Sequence, residues 1–192
     1  MRIISGEQKG RKIKVVPSEK MRPTTDRVRE AVFSVLQYDL DFGAFEAVDL
    51  YAGTGSMGLE ALSRGVAKVT FIEREGKLAK NIEENIKDLG FADRARVVRG
   101  DIPMIFESLL ANLDPGLRTL FLIDPPYTAH PGLELLEQMA KTEVLSQGSV
   151  VLLGRPKRME ISEDIESFGN NLFISEQKSK KYGDTVIHYY YF

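Results

Sequence analysis

From Ala47 onward the chain alternates short apolar runs with helical patterns, and this alternation restricts the fold more than any other feature. Val48–Tyr51, Lys68–Glu73, Arg96–Arg99, Thr119–Ile123 and Ser149–Leu153 read as strands. A helix ending near Gly65, and helices over Lys77–Leu89, Pro103–Leu113 and Gly132–Thr142, lie between them. Parallel strands need a long crossover, usually a helix, so repeated βα units predict an α/β fold whose sheet is largely parallel and covered on both faces. The end of the chain changes character. Asn171–Glu176 and Thr185–Phe192 read as strands joined through Tyr182-Gly183-Asp184, a hairpin that adds antiparallel pairing at one side of the sheet.

A different segment precedes the series. Arg2–Ser5 and Lys12–Val16 read as two short strands around Gly6–Gly10, which predicts a basic β-hairpin extension over 1–22 ahead of a main domain over 23–192. A helix begins near Asp26, with Val28, Ala31, Val32, Val35 and Leu36 on one face. Residues 1–30 hold nine Lys/Arg against four acids, a balance of +5, so the net charge of −2 leaves −7 on the rest. A basic arm on an acidic body suits a protein that grips a phosphate backbone at one end, and the candidates are Lys9, Arg11, Lys12, Lys14, Arg22, Arg27 and Arg29. A solvated basic hairpin without a partner is the plainer alternative.

Composition removes several classes. With no cysteine, disulfides and Cys-ligated metals are excluded, and two histidines make a histidine-rich metal site a poor expectation, so no metal is expected. No apolar run approaches the ~20 residues of a membrane span, and the first residues show no secretory h-region. A cytoplasmic monomer without a membrane partner is expected.

The first βα connection, Asp49-Leu50-Tyr51-Ala52-Gly53-Thr54-Gly55-Ser56-Met57-Gly58, contains G-x-G-x-x-G. Gly53 and Gly55 permit close approach of a ligand to backbone, and Gly58 permits close packing of helix on strand. Glu73, ending the next strand, is placed to accept ribose hydroxyls. These features are shared by nicotinamide, flavin and S-adenosylmethionine proteins. Asp49 favours the last, because it brings a carboxylate to a ligand carrying an ammonium and a sulfonium. Asp101 adds to this by offering an acceptor to an adenine amine while Ile102 lies against the ring, although Asp101 also suits a helix N-cap before Pro103. The candidate cofactor set is Asp49, Ala52, Gly53, Thr54, Gly55, Glu73, Arg74, Asp101 and Ile102.

Asp124-Pro125-Pro126-Tyr127 follows the fourth strand of the series. Strand C-termini are where open parallel sheets handle ligands. Two prolines fix φ twice and remove two N–H donors, leaving carbonyls free to point into a cleft. A carboxylate, outward carbonyls and an aromatic ring suit a planar base held by its exocyclic amine and stacked on the tyrosine. A proline turn with a packing tyrosine is the alternative.

In this order, Asp49–Gly58, Glu73, Asp101 and Asp124-Pro-Pro-Tyr resemble class I methyltransferases that act on exocyclic amines of nucleobases. Arg2–Gly6 with Lys9–Lys12, Arg22-Pro-Thr-Thr-Asp-Arg-Val-Arg-Glu-Ala31, Gly58–Gly65 and Lys181–Thr185 narrow this to the RsmD-type bacterial 16S ribosomal RNA guanine-N2 methyltransferases. The resemblance covers nearly the whole chain. It implies a Rossmann-like fold with a seven-stranded, mostly parallel sheet and S-adenosyl-L-methionine as methyl donor. It also implies 16S rRNA as partner, within an assembling 30S particle or free, with Asp124, Pro125, Pro126 and Tyr127 as the catalytic residues. By the same resemblance Arg22–Arg29 lies over the cleft. One departure stands out: the strand that usually closes with an acidic residue runs here into Gly154-Arg155-Pro156. A DNA adenine-N6 or glutamine methyltransferase, a nicotinamide-dependent oxidoreductase and a non-catalytic RNA-binding module remain as alternatives.

Overall fold

The computed structural model describes residues 1–17, 24–102, 104–125, 132–158, 167–168 and 172–192. Helix α1 (Asp26–Asp39) begins at Thr25, whose hydroxyl accepts the Val28 N–H, and stops where Leu40 turns extended. Strand β1 (Phe45–Leu50) is buried along its whole length, as a central parallel strand covered on both faces must be. Then follow α2 (Ser56–Ser63), β2 (Lys68–Glu73), α3 (Gly76–Asp88), β3 (Ala95–Arg99), α4 (Phe106–Leu110), β4 (Arg118–Ile123), α5 (Gly132–Lys141) and β5 (Val150–Pro156). The short β6 (Ser167–Phe168) and β7 (Leu172–Phe173) form a separate ribbon before the hairpin of β8 (Glu176–Tyr182) and β9 (Thr185–Tyr191).

The main sheet has seven strands in the order β3-β2-β1-β4-β5-β9-β8. Neighbours from β3 to β5 are parallel, and β9 pairs antiparallel with both β5 and β8. The α/β architecture and the antiparallel hairpin therefore stand as the sequence predicts. Two apolar clusters fill the faces. One joins Val32, Phe33 and Leu36 of α1 to α2, Ile82 and Ile86 of α3 and Leu120, Leu122 and Leu152 of the sheet. The other joins Phe106, Leu136 and Met139 of α4 and α5 to Val48, Leu50, Phe121, Ile123 and Leu153. Each such side chain contributes about 1.5–3 kcal/mol by leaving water.

Three boundaries move. Helix α4 occupies only Phe106–Leu110 rather than Pro103–Leu113, because the following residues tighten into i→i+3 bonds from Asn112 to Leu109 and from Leu113 to Leu110. Strand β5 runs on to Pro156 because β9 pairs with it as far as Pro156↔Thr185. The first strand of the terminal hairpin is Glu176–Tyr182, not Asn171–Glu176. Its Gln/Lys/Ser sequence hides it from apolar periodicity, yet such lysine-rich composition is normal for an exposed edge strand.

At the N-terminus the two expected strands reduce to a single antiparallel bridge, Arg2↔Lys12, with Ile3 N–H donating to the Arg11 carbonyl at 2.9 Å. Ile3 and Ile13 enter the same core as α1 and α2. What fixes the hairpin is polar. Glu60 of α2, fully buried, accepts the N–H groups of Ile4 at 2.8 Å and Ser5 at 3.0 Å and the Arg64 Nε–H at 2.8 Å. Its Oε2 also lies 3.6 Å from Nε of the buried Arg29. Gly6 passes against Ser63, where a Cβ would stand 1.7 Å from the Ser63 carbonyl oxygen. Farther along, Asn85 of α3 grips Lys14 at both backbone groups, each at 2.9 Å.

Removing a partner from a buried ion cluster leaves uncompensated charge, which is more costly than the cluster itself is stabilising. Glu60→Ala is expected to lower unfolding free energy by about 3–5 kcal/mol, measured by urea denaturation.

Candidate active site

Strand order reverses between β1 and β4, because the chain winds outward from β1 in one direction through β2 and β3 and in the other through β4 and β5. This is the switch point at which an open α/β sheet leaves a crevice beyond its strand C-termini. The register pairs Leu50 with Ile123, so the glycine loop after β1 and Asp124 after β4 leave the sheet side by side. Glu73 closes β2 on the other flank of β1.

The loop turns tightly. Gly53 and Gly55 hold φ of 55° and 73°, and the Gly55 N–H donates to the Ala52 carbonyl at 2.7 Å. At Gly58 a Cβ would stand 2.3 Å from Cε1 of Phe71, so only glycine lets α2 lie this close to β2. Tyr51, not glycine, also takes a positive φ of 60°. Such backbone strain collects at ligand sites. Tyr51 is half-buried, and burial raises its phenol above the ordinary range.

Carboxylates converge on this crevice. Asp49 is buried and accepts the Gly58 N–H at 2.9 Å. Burial holds its carboxyl well above the ordinary carboxylate range, and the charges of Asp124 and Glu73 push the same way. Glu73 accepts the Gly53 N–H at 2.9 Å and the Glu75 N–H at 2.8 Å, which orients both of its oxygens. Asp124 accepts a hydrogen bond from the Thr24 hydroxyl. Burial raises the Asp124 carboxyl, and Thr24 opposes that shift. On its other side, a Cβ on Gly154 would stand 2.7 Å from Asp124 Oδ1. Gly154 therefore leaves the space in which the Asp124 carboxylate lies.

Not every expected residue reaches the crevice. Asp49, Ala52, Gly53, Gly55 and Glu73 line it or its loop, and Pro125 follows Asp124 as a buried residue. Thr54 is buried, with its hydroxyl accepting the Ser56 N–H at 3.3 Å and lying 3.8 Å from the Met1 sulfur, so only its backbone can face a ligand. Arg74 and Asp101 are exposed, 3.9 Å apart, beside the half-buried Ile102. Pro126 and Tyr127 of the proline motif, Arg22 and His130 lie outside the described residues. Sequence reasoning missed Thr24, Gly154 and Tyr51 as site residues. Thr24 stood in the Arg22–Ala31 run, but nothing in that run names its partner 100 residues away.

The basic set divides. Arg29 is not available to RNA: it is fully buried, and its guanidinium donates to Asp26 at 3.0 Å and to the Arg2 carbonyl. The apolar stripe of α1 concealed this, since Arg29 lies on the same face as Val32, Phe33 and Leu36. Lys14 and Arg11 engage α3, with Lys14 Nζ 2.7 Å from the Asp88 carboxylate and Arg11 donating to the Asp88 carbonyl at 2.7 Å. Lys9, Lys12 and Arg27 are exposed.

Residues 1–191 match the family described as Conserved hypothetical protein 95. The chain belongs to that family. It is 34% identical over 165 residues to the Bacillus subtilis protein named "Putative rRNA methyltransferase YlbH", covering 86% of this chain and 88% of that one. It is 32% identical over 157 residues to the Haemophilus influenzae "Ribosomal RNA small subunit methyltransferase D", covering 82% and 79%. Among solved structures, the Escherichia coli protein titled "Putative methyltransferase yhhF" superposes with a TM-score of 0.74 at 28% identity, over 99% of this chain and 96% of that one. The resemblance to the RsmD-type enzymes stands, and so does the class I methyltransferase fold.

A carboxyl raised by burial binds protons in the folded state that the unfolded chain has already lost, so stability falls as pH climbs from the ordinary 3.8 through the raised value. Asp49→Asn is expected to flatten that fall and to raise the melting temperature of the ligand-free protein at neutral pH. Thermal unfolding of both proteins across roughly pH 4 to 8 measures it.

Proposed function

We propose that this protein transfers a methyl group from S-adenosyl-L-methionine to the exocyclic N2 of a guanine in 16S rRNA, as free RNA or in an assembling 30S particle. The observation that carries this reading is the half-buried Asp124 carboxylate, fixed at the switch point beside a glycine loop ringed by Asp49 and Glu73. The Asp49 carboxylate in this place favours a cationic cofactor and has no counterpart to meet in a dinucleotide, while Glu73 suits the ribose of either.

The residues present fit that cofactor. Asp49 would supply negative field to the ammonium and sulfonium, the Gly53–Gly55 backbone would face the methionine part, Glu73 would keep lone pairs for ribose hydroxyls, and the exposed Asp101 with Ile102 would take the adenine. Bound there, the cofactor supplies an electrophilic methyl on a sulfur that leaves as a neutral thioether. Asp124 and the Pro125 carbonyl accept the two N–H bonds of the guanine amine. This draws its lone pair out of ring conjugation and aims it along the line of transfer. The nitrogen that gains the methyl loses one proton, which the Asp124 carboxylate accepts. Tyr127 stacks on the extruded base. Such positioning contributes up to about 7–11 kcal/mol of barrier lowering.

RNA contact falls to the exposed cations. Lys9, Lys12 and Arg27 serve it from the N-terminal side, with Arg22 beside them in sequence. Lys157 and Arg158 line an open cavity of about 530 Å³ with Pro156 and Asp184, past the C-terminal part of β5. Lys180 and Lys181 are exposed on β8, whereas Lys178 is held by Asp39 at 3.0 Å. Lys9→Glu with Lys12→Glu is expected to raise the RNA dissociation constant at least tenfold at moderate salt and to reduce its salt dependence by about two phosphate contacts, as filter binding would show.

The reading is tested with labelled methyl donor and 30S particles lacking the modification. The wild-type protein should label 16S rRNA, and Asp124→Asn should lose at least a thousandfold in rate, roughly what losing a positioned acceptor costs, while still binding S-adenosylhomocysteine. No transfer by the wild-type protein, or full transfer by Asp124→Asn, contradicts it.

A further inference from the structure

We infer that Thr24 is a positioning residue for the transfer, the group that sets the orientation and the ionised state of the Asp124 carboxylate. The inference rests on the methyl-transfer reading above and assigns a part of that site to the N-terminal segment.

The hydroxyl of Thr24 donates to Asp124 Oδ2. The other oxygen, Oδ1, lies against Gly154, where even a methyl group would stand 2.7 Å away. The torsion that turns a carboxylate is broad and roughly two-fold. A donor on one oxygen and a tight backbone beside the other remove that freedom. Thr24 is held in turn. It immediately precedes Thr25, the N-cap of α1, and one turn into that helix Arg29 is locked between Asp26, the Arg2 carbonyl and Glu60. The backbone that carries Thr24 is thus anchored at a helix start held by the buried cluster.

The surroundings of Asp124 explain why a donor is needed. Burial disfavours its charge, and Asp49 of β1 is close enough for the two carboxyls to repel one another. On β5 the cation nearest in sequence, Arg155, directs its Nε–H to His188 Nε2 at 2.7 Å. Burial drives His188 down to about 4, so its ring is neutral at physiological pH. Thr24 is the group that opposes burial at Asp124. A hydroxyl donated to a carboxylate favours the charged form, and that form is the one able to accept an amine N–H.

Thr24→Val and Thr24→Ser are compared with the wild-type protein in transfer assays across pH, beside calorimetric binding of S-adenosylhomocysteine. The valine variant should lose roughly tenfold to a hundredfold in kcat, the rate equivalent of one hydrogen bond to a charged group. Its KM for the cofactor and its S-adenosylhomocysteine affinity should stay unchanged. The acid limb of its pH–rate profile should move to higher pH, because without the donor Asp124 holds its proton longer. The serine variant should restore both rate and profile. Wild-type kcat and profile in the valine variant, or equal losses in valine and serine, would overturn the inference, the second outcome assigning Thr24 to packing alone. If the valine variant does not fold, Thr24→Ala is compared with Thr24→Ser by the same criteria. A wild-type protein that transfers no methyl, or an active Asp124→Asn, would instead overturn the transfer reading and leave the hydrogen bond as structure only.

Discussion

Glu60 is the side chain on which the arrangement of this protein's N-terminal part depends. A carboxylate offers about four acceptor sites; here three accept the Ile4 and Ser5 N–H groups and the Arg64 Nε–H, and the Arg29 guanidinium lies 3.6 Å away as an ion pair. Burying an ion costs several kcal/mol after relaxation, and that cost is offset only when such partners arrive together. The same α2 that carries Glu60 starts from the glycine loop at Ser56. One short helix therefore ties three things together: the glycine loop at its beginning, the basic hairpin along its side, and the first turn of α1. Through α1 the tie reaches Thr24 and then Asp124.

The sheet supplies the rest of the site by topology. Outward winding from β1 leaves the ends of β1 and β4 without an intervening crossover, and the Leu50↔Ile123 register brings Asp49 and Asp124 to one crevice. Like charges gathered in a half-buried place are costly without a compensating cation. That cost is the physical argument for a positively charged ligand. Gly58 and Gly154 act by absence, one letting Phe71 pack under α2 and the other leaving room for the Asp124 carboxylate.

Much of this was legible in the sequence, for identifiable reasons. The βα series shows because buried parallel strands are continuous apolar runs, and Lys68–Glu73 is bounded as expected because Gly65 and Glu75-Gly76 punctuate it. Apolar periodicity does not reveal the lysine-rich β8, because an edge strand stabilised by pairing needs no apolar alternation. Charge counting groups Arg29 with the RNA cations because it cannot separate a buried cation from an exposed one; the sequence sign of its burial is its place on the Val32–Leu36 face of α1. Thr24 and Gly154 were invisible as site residues because each matters through a residue that is distant in sequence, and pairings of that kind are made by the fold.

The central claim is that the crevice between β1 and β4 accepts a guanine amine and methylates it. Its most direct test is nucleoside mass spectrometry of 16S rRNA after reaction with isotopically labelled S-adenosyl-L-methionine. The account predicts labelled N2-methylguanosine as the product. Labelled N6-methyladenosine, another methylated nucleoside, or unlabelled rRNA from an otherwise folded and cofactor-binding protein would contradict it.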